Sequence, residues 1–595
     1  MFDEFCTQLL DSVQSVIESN SFFTSGYGSM MQIMFPVLSF FILVGTVISL
    51  LTLPKNSEIW GKLVGVNDEK IYYIPHWENL IGRAANSDIL IDKPTISKQH
   101  AAIIRNDSGE WKIYDLESSH GIYVNDEEVI SDEVVKFGDK ITLADYSVTL
   151  EPLTKAEKKK NERRRSRFRP IPPWCMLMLL TIFQFFASFS LILNLGDEAT
   201  IYILPSFLLL TIMMWAYFLM LSLFGIKGFE LEIIAFYLST LSLSIVGSYA
   251  PSTINKQAYA IAIGIVFLIC FQLFLRNLNR VQTFRWVMAG VTVALLIATI
   301  VFGSEKYGAT NWITINGVSL QLSEIAKITY IFAGACTLDR MFKKRNIILF
   351  IVLTFASIAV LAYCSDFGTA SIFFITFIVI AFLRSGSIAT IVFICSGAVA
   401  GGMLVITAKK YIFARFSSWR HAWDYAASTG YQQVNTMVAI NNGGYTGVGV
   451  GNGSLSSRHV AAADTDLVFG MLSEEWGFII ALFAIACILV LAIFAIKSCI
   501  NSRSCFYTIA ACAATSLLLF QTALNVFGAV DILPLTGVTF PFVSNGGSSM
   551  VMAWGVLAFL KATDTRPNAS IATRLRKNEQ APTYETMRRK RGGFR

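Results

Sequence analysis

The chain has 595 residues, of which 54% are hydrophobic and only 15% charged, with a net charge of +7 and a mean hydropathy of +0.55. That balance excludes a soluble enzyme, a disordered or collagen-like chain and a small disulfide-stapled domain, and apolar runs longer than about 18 residues recur along it, as membrane-crossing helices require. The ten Cys fall mostly inside apolar segments with no CxxC pair, which points to neither a disulfide framework nor a zinc site.

The charge has a location. Residues 155–169 hold nine basic and two acidic residues and residues 561–595 hold ten and three, so each stretch carries +7 and the remainder sums to −7. Both stretches flank apolar spans. They predict cytoplasmic anchoring against anionic membrane lipid, and no nucleic-acid partner.

Taken in order, residues 1–30 are acidic, and no Lys or Arg precedes Lys55, so there is no signal-peptide n-region. A span is predicted at 31–53. Residues 54–152 then alternate apolar and polar side chains in short runs (WKIYDL, YSVTL) separated by Asn/Asp/Gly turns (NDSGEW, KFGDK), the pattern of an all-β soluble domain. A basic linker, 153–173, leads to two spans at 174–196 and 200–224. Ten more follow near 229–248, 257–275, 285–303, 323–340, 346–364, 369–384, 387–408, 474–497, 505–529 and 545–563, about thirteen in all. If 155–173 is cytoplasmic, the basic segments 276–285, 341–346 and 497–503 and the tail 564–595 fall on the same face by alternation. The N-terminal thirty residues and the loop 409–473 then lie outside.

The β region contains IGRAANSDILI, TISKQH and DLESSHGIYVN. These segments resemble the forkhead-associated (FHA) fold, a β-sandwich that binds phosphothreonine peptides. The resemblance implies that Arg83, Ser97 and Lys98 hold the phosphate while Gly82, His100 and Asn125 shape the loops. A guanidinium, a hydroxyl and an ammonium suit a group with about −1.5 to −2 charge and three acceptor oxygens. His120-Gly121 stands where that family usually has Asn-Gly, so His120 is the candidate to grip the peptide backbone. The alternative is a sandwich kept for docking alone.

Four stretches carry polar chemistry among the last ten spans. In QLSEIAK, Gln321 or Ser323 can cap a helix on which Glu324 and Lys327 share a face, either as an ion pair closing a helix end or as the lining of a cavity. In SDFGTA, Asp366 precedes a span and is either a helix N-cap or a site residue. The outer loop is glycine-rich, interleaves Trp419, Arg420, Trp423 and Tyr431, and ends in DTDLVF with Asp466. Asp466 could also cap a helix or pair with Arg458. The fourth stretch, LPLTGVTFPFVSNGGSSM, is a Pro/Gly-rich loop running into the last span.

In order and sidedness these stretches look like the SEDS family (RodA/FtsW/SpoVE-like). The match covers 229–563, although QLSE, SDFGT and DTDLVF replace the family's usual Gln-Pro-Ser-Glu, Pro-Asp-x-Gly-Thr and His-Thr-Asp-Phe. The fold implied is a multi-span α-helical membrane protein with a ten-helix SEDS core and an inserted cytoplasmic all-β FHA-like sandwich. The activity implied is an inverting peptidoglycan glycosyltransferase that polymerises lipid II on the outer face of a bacterial cytoplasmic membrane. Asp466 is then the base, and Lys327, Arg415 and Arg420, with Glu324 and Asp366, bind the lipid diphosphate substrate. A divalent cation, Mg or Mn, is left open by the resemblance. The expected partners are lipid II, a class B penicillin-binding transpeptidase and a phosphothreonine protein. Two other classes fit less of the pattern: a lipid-linked precursor flippase and a phospho-regulated scaffold.

Overall fold

The computed structural model describes residues 27–51, 59–166, 171–397, 419–499, 502 and 504–572, apart from interruptions of one to four residues. The β domain is a two-sheet sandwich. One sheet has the order β2 (Ile71–Ile74), β1 (Gly61–Gly65), β11 (Tyr146–Glu151), β10 (Lys140–Leu143), β7 (Ile122–Val124), β8 (Glu127–Glu128). The other runs β4 (Ile89–Leu90), β3 (Glu78–Gly82), β5 (Ala101–Arg105), β6 (Trp111–Asp115), β9 (Asp132–Val135). Strict alternation along β11 turns Tyr146, Val148 and Leu150 inward. Between β7 and β8 only Asn125 and Asp126 intervene, both at positive φ (51° and 69°), a conformation Asn and Asp tolerate in tight hairpins. Trp60, Trp77, Trp111, Ile103 and Ile141 belong to a hydrophobic core separate from that of the helices.

The predicted spans fall on helices, with 387–408 lying mostly outside the described residues. Eight described helices are long and apolar enough to cross a membrane, from Tyr27–Leu50 to Cys505–Ala529. The Glu230–Tyr249 helix is buried all round, while its neighbours present Ile33, Phe41, Phe185, Leu219 and Ile263 outward. Lipid offers little hydrophobic drive for helix pairing, so small residues must let backbones approach. The Ile254–Leu275 and Gly547–Thr563 helices do this reciprocally: Gly264 lies under the Trp554 ring and Gly555 under Phe267.

Charged groups tie the additional helices to this core. Arg566 makes a bidentate pair with Glu230 (2.9 Å to each oxygen) and reaches Asp564 at 2.6 Å, while Lys561 bonds Glu232 at 3.1 Å. Ser49 of the first helix donates to Glu230 (2.6 Å), and Tyr217 of the Asp197–Leu223 helix donates to Glu232 (2.8 Å). Glu230 and Glu232 thus each have a cation and a hydroxyl, as burial of charge demands.

Two segments depart from the sequence expectation. The span placed at 474–497 is broken at Gly477 (φ 85°), giving a short Val468–Trp476 helix and then Phe478–Cys499. Residues 304–321 form a three-stranded antiparallel sheet, β12 (Ser304–Lys306), β13 (Ala309–Ile315) and β14 (Val318–Gln321), between two spans where no strand was predicted.

Candidate active site

Glu324 and Lys327 lie one turn apart on the Leu322–Asp339 helix, and their side chains meet at 2.8 Å with 7% and 2% exposure. The ion-pair alternative is therefore realised, but the pair has a third member. Lys327 also donates to Gln521 Oε1 (3.3 Å), whose Nε2 donates to the carbonyl and hydroxyl of Thr539, both at 3.0 Å. Thr539 in turn shares a hydrogen bond with Ser549 (2.8 Å). Ser323 does not cap the helix, because its hydroxyl is buried without a hydrogen-bond partner among the described residues.

Asp366 caps the Phe367–Ser385 helix: Oδ1 accepts from Thr369 N at 3.0 Å. The cap uses one oxygen only, and Oδ2 is buried with no partner among the described residues. Gly368 lets this helix start pack directly on Thr536 and Val538. Lys327 and Glu324 are near enough to act electrostatically on Asp366.

Asp466 is half-buried in a turn that precedes the Val468–Trp476 helix. The residue in the cap position of that helix is Leu467, with no side-chain cap, so the N-cap alternative for Asp466 is not what the structure shows. Arg458 and the predicted Arg415 lie outside the described residues. The Asp466 carbonyl accepts from Asn525 Nδ2 (2.9 Å), and a Cβ on Gly537, where φ is +70°, would stand 3.2 Å from Asp466 Oδ2. Two residues earlier, Asp464 is buried and accepts from Asn545 Nδ2 at 2.6 Å; burial pushes its carboxyl above the ordinary carboxylate range. Loop 534–546 therefore borders Asp466 through Gly537, the start of the helix that Asp366 caps through Thr536 and Val538 against Gly368, and Lys327 by way of Gln521 through Thr539. Arg420 is exposed over the Trp419 ring (5.4 Å), and Trp419 bonds Ile532 O (3.0 Å) at the entry of the same loop.

Gln521, Asn525, Asn545 and Asp464 were not singled out from the sequence. The signal was available, since amides inside an apolar span are costly unless they bond something. Among the described residues no group of three or more His, Cys, Asp or Glu is placed to hold a metal ion.

In the β domain, Arg83, Lys98 and His120 are exposed and Ser97 half-buried on neighbouring loops. Arg83 N bonds Ser97 O (3.0 Å), and Ser97 Oγ accepts from Ser119 N (3.1 Å). A Cβ at Gly82 would collide with the Lys98 backbone, so glycine there permits the approach. His100 is buried: Ser97 N donates to its Nδ1 (3.2 Å), which leaves Nε2 to donate to Gly121 O (3.3 Å). Asn125 holds the backbone of Lys140.

A family model described as cell cycle protein, covering FtsW, RodA and SpoVE, matches residues 213–567, more than half of the chain. The chain belongs to the FtsW/RodA/SpoVE family. An FHA domain model matches residues 79–144. Among relatives, "Probable peptidoglycan glycosyltransferase FtsW" of Bacillus subtilis is 29% identical over 334 residues, 51% of this chain and 79% of that protein. "Stage V sporulation protein E" of the same organism is 26% identical, over 51% of this chain and 85% of that protein. A solved structure described as "Structural coordination of polymerization and crosslinking by a peptidoglycan synthase complex" is 23% identical, covers 57% of this chain and 98% of that one, and has a TM-score of 0.48. Ahead of the matched region this member of the family carries an FHA domain and, among the described residues, the helices Tyr27–Leu51, Lys155–Ser166 and Pro173–Leu195, with most of Asp197–Leu223.

Proposed function

We propose that this protein is an inverting peptidoglycan glycosyltransferase that polymerises lipid II at the outer face of the bacterial cytoplasmic membrane. The observation that carries the reading is loop 534–546, which borders a half-buried carboxylate (Asp466) and a buried ammonium (Lys327) together. Glycosyl transfer needs both: a base for a hydroxyl of high pKa and positive charge for a diphosphate leaving group. Asp466 takes the proton from the 4-hydroxyl of the acceptor sugar as its oxygen bonds the donor's anomeric carbon. The bond from that carbon to the diphosphate oxygen breaks, and the polyprenyl diphosphate leaves with the electron pair. Lys327, Arg420 and Arg415 are the cations assigned to the leaving phosphates. Glu324 keeps Lys327 in place, and Asp366 is the further carboxylate assigned to substrate binding. The names of the relatives support the same reading.

The FHA domain binds a phosphothreonine protein through Arg83, Ser97, Lys98 and His120, which places polymerisation under phosphorylation control. A class B penicillin-binding transpeptidase is the partner that would crosslink the product, as the family resemblance implies. Purified full-length protein given labelled lipid II should form polymer, and Asp466→Asn should reduce the rate by about 10²-fold or more. Polymer at the wild-type rate from that variant rejects the base. Movement of intact lipid II across vesicles without polymer would instead favour a carrier.

A further inference from the structure

The glycine-rich loop 444–453 is weakly self-supporting. Gly444, Gly447, Gly449 and Gly451 all adopt positive φ (52°, 84°, 104° and 86°), so the backbone is both unusual and costly to order. Its supports come from two directions. On one side it wraps the C-terminal end of the Val468–Trp476 helix: Val448 N bonds Glu474 O (2.9 Å), Gly449 N bonds Glu475 O (3.1 Å), and Gly451 N bonds the Glu475 carboxylate (3.1 Å). Ser454 and Leu455 N hold the Glu474 carboxylate. On the other side stand two helices that precede the family-matched region, Tyr27–Leu51 and Pro173–Leu195. Gln32 Nε2 donates to Gly447 O (2.9 Å), and Asn194 Nδ2 donates to Val450 O (2.6 Å).

We propose that Gln32 and Asn194 are positioning residues that clamp this loop and, through it, set the place of Asp466. The link is short. The Val468–Trp476 helix is buried along its whole length and spans only about 13 Å, so a shift at Glu474 and Glu475 travels to its start, two residues from Asp466. A cavity of about 520 Å³ between the two helices and the loop, bordered by Gln32, Asn194, Asn452, Glu475 and Trp476, gives the loop room to move once the amides are gone. The inference rests on Asp466 acting as the base, and its test separates the two ideas.

Full-length protein in nanodiscs is compared with Gln32→Glu, Asn194→Asp and the double variant, which keep side-chain shape but remove the N–H donors. Amide exchange across 444–453 should accelerate in the double variant while exchange in the FHA domain stays as in wild type. The kcat for lipid II should fall roughly tenfold with KM changed by less than about twofold, as misplacement of a base predicts. Gln32→Lys, which restores a donor, should recover much of the exchange protection and the rate. Unchanged exchange in 444–453 overturns the clamp whatever the activity, and faster exchange with unchanged kcat overturns the positioning. A wild-type rate from Asp466→Asn, with exchange behaving as stated, removes the base but leaves the clamp standing.

Discussion

Lys327 is buried with one carboxylate and one amide oxygen as its partners, and that arrangement separates stability from chemistry at the residue scale. Removing one member of a buried pair strands the other charge, at about 3–5 kcal/mol, whereas replacing both by neutral groups of similar volume is often mild. Glu324→Gln should therefore lower the thermal midpoint in detergent more than the double change Glu324→Gln with Lys327→Met, although neither protein should polymerise. Equal melting of the two would show that the pair is not electrostatically coupled. His100 provides a second case. Its neutral form is fixed by accepting from Ser97 and donating to Gly121, and burial holds its pKa below the ordinary value. Below about pH 6.5 the unfolded chain binds the proton that the folded domain refuses, so stability present above that pH is lost as the pH falls. The FHA domain has its own core, and as an isolated fragment it should melt at lower temperature at about pH 5.5 than at about pH 7.5. His100→Gln should flatten that dependence; an equally steep profile in the variant would assign it to other groups.

Elements were legible where one kind of residue dominates for long enough. Runs such as FIIALFAIACILVLAIF leave no choice but a buried or membrane helix, and the β domain announced itself through alternation and turn chemistry. The three-stranded sheet at 304–321 escaped because strands of three to seven residues between two spans offer no length over which alternation can be counted. The break at Gly477 escaped for the opposite reason: SEEWGF looks like the polar start of a span, whereas Glu474 and Glu475 are buried carboxylates that hold a loop. Asp466 and Lys327 were visible from their motifs. The amides that connect them to loop 534–546 were not, since one Gln or Asn in an apolar helix does not say what it faces. Helix contact itself is testable through Gly264, where a Cβ would lie 2.8 Å from Trp554 Cδ1. Gly264→Ala should destabilise the helical body by about 1–3 kcal/mol through overpacking, read as a lower thermal midpoint in detergent. Trp554→Phe in the same background should recover part of the loss, and no recovery would mean that the ring is not the obstacle.

At the scale of the whole molecule the sandwich meets the helices around residues 502–505, and one of these contacts has a clear electrostatic sense. His76 Nδ1 lies 2.8 Å from Ser502 O, and the Glu78 carboxylate accepts from Cys505 N at 3.0 Å. Cys505 opens the Cys505–Ala529 helix, whose cap, Ser504, bonds Phe506 N. Glu78 therefore supplies from the FHA domain what a helix N-terminus lacks, an acceptor for a free N–H and a negative charge at the positive end of the dipole. Further along, the same helix carries Gln521 beside Lys327 and Asn525 beside Asp466, so the docking point and the candidate active site share one rigid element. Glu78→Gln keeps the shape and removes the charge. It should cost full-length protein about 0.3–1 kcal/mol in stability, measurable as a small drop in the thermal midpoint at low ionic strength that shrinks as salt is added. The isolated FHA domain has no such helix to cap, so its midpoint should shift less than that of the full chain. A matching loss in both would place the role of Glu78 inside the sandwich, and would leave the FHA domain without this electrostatic hold on the membrane helices.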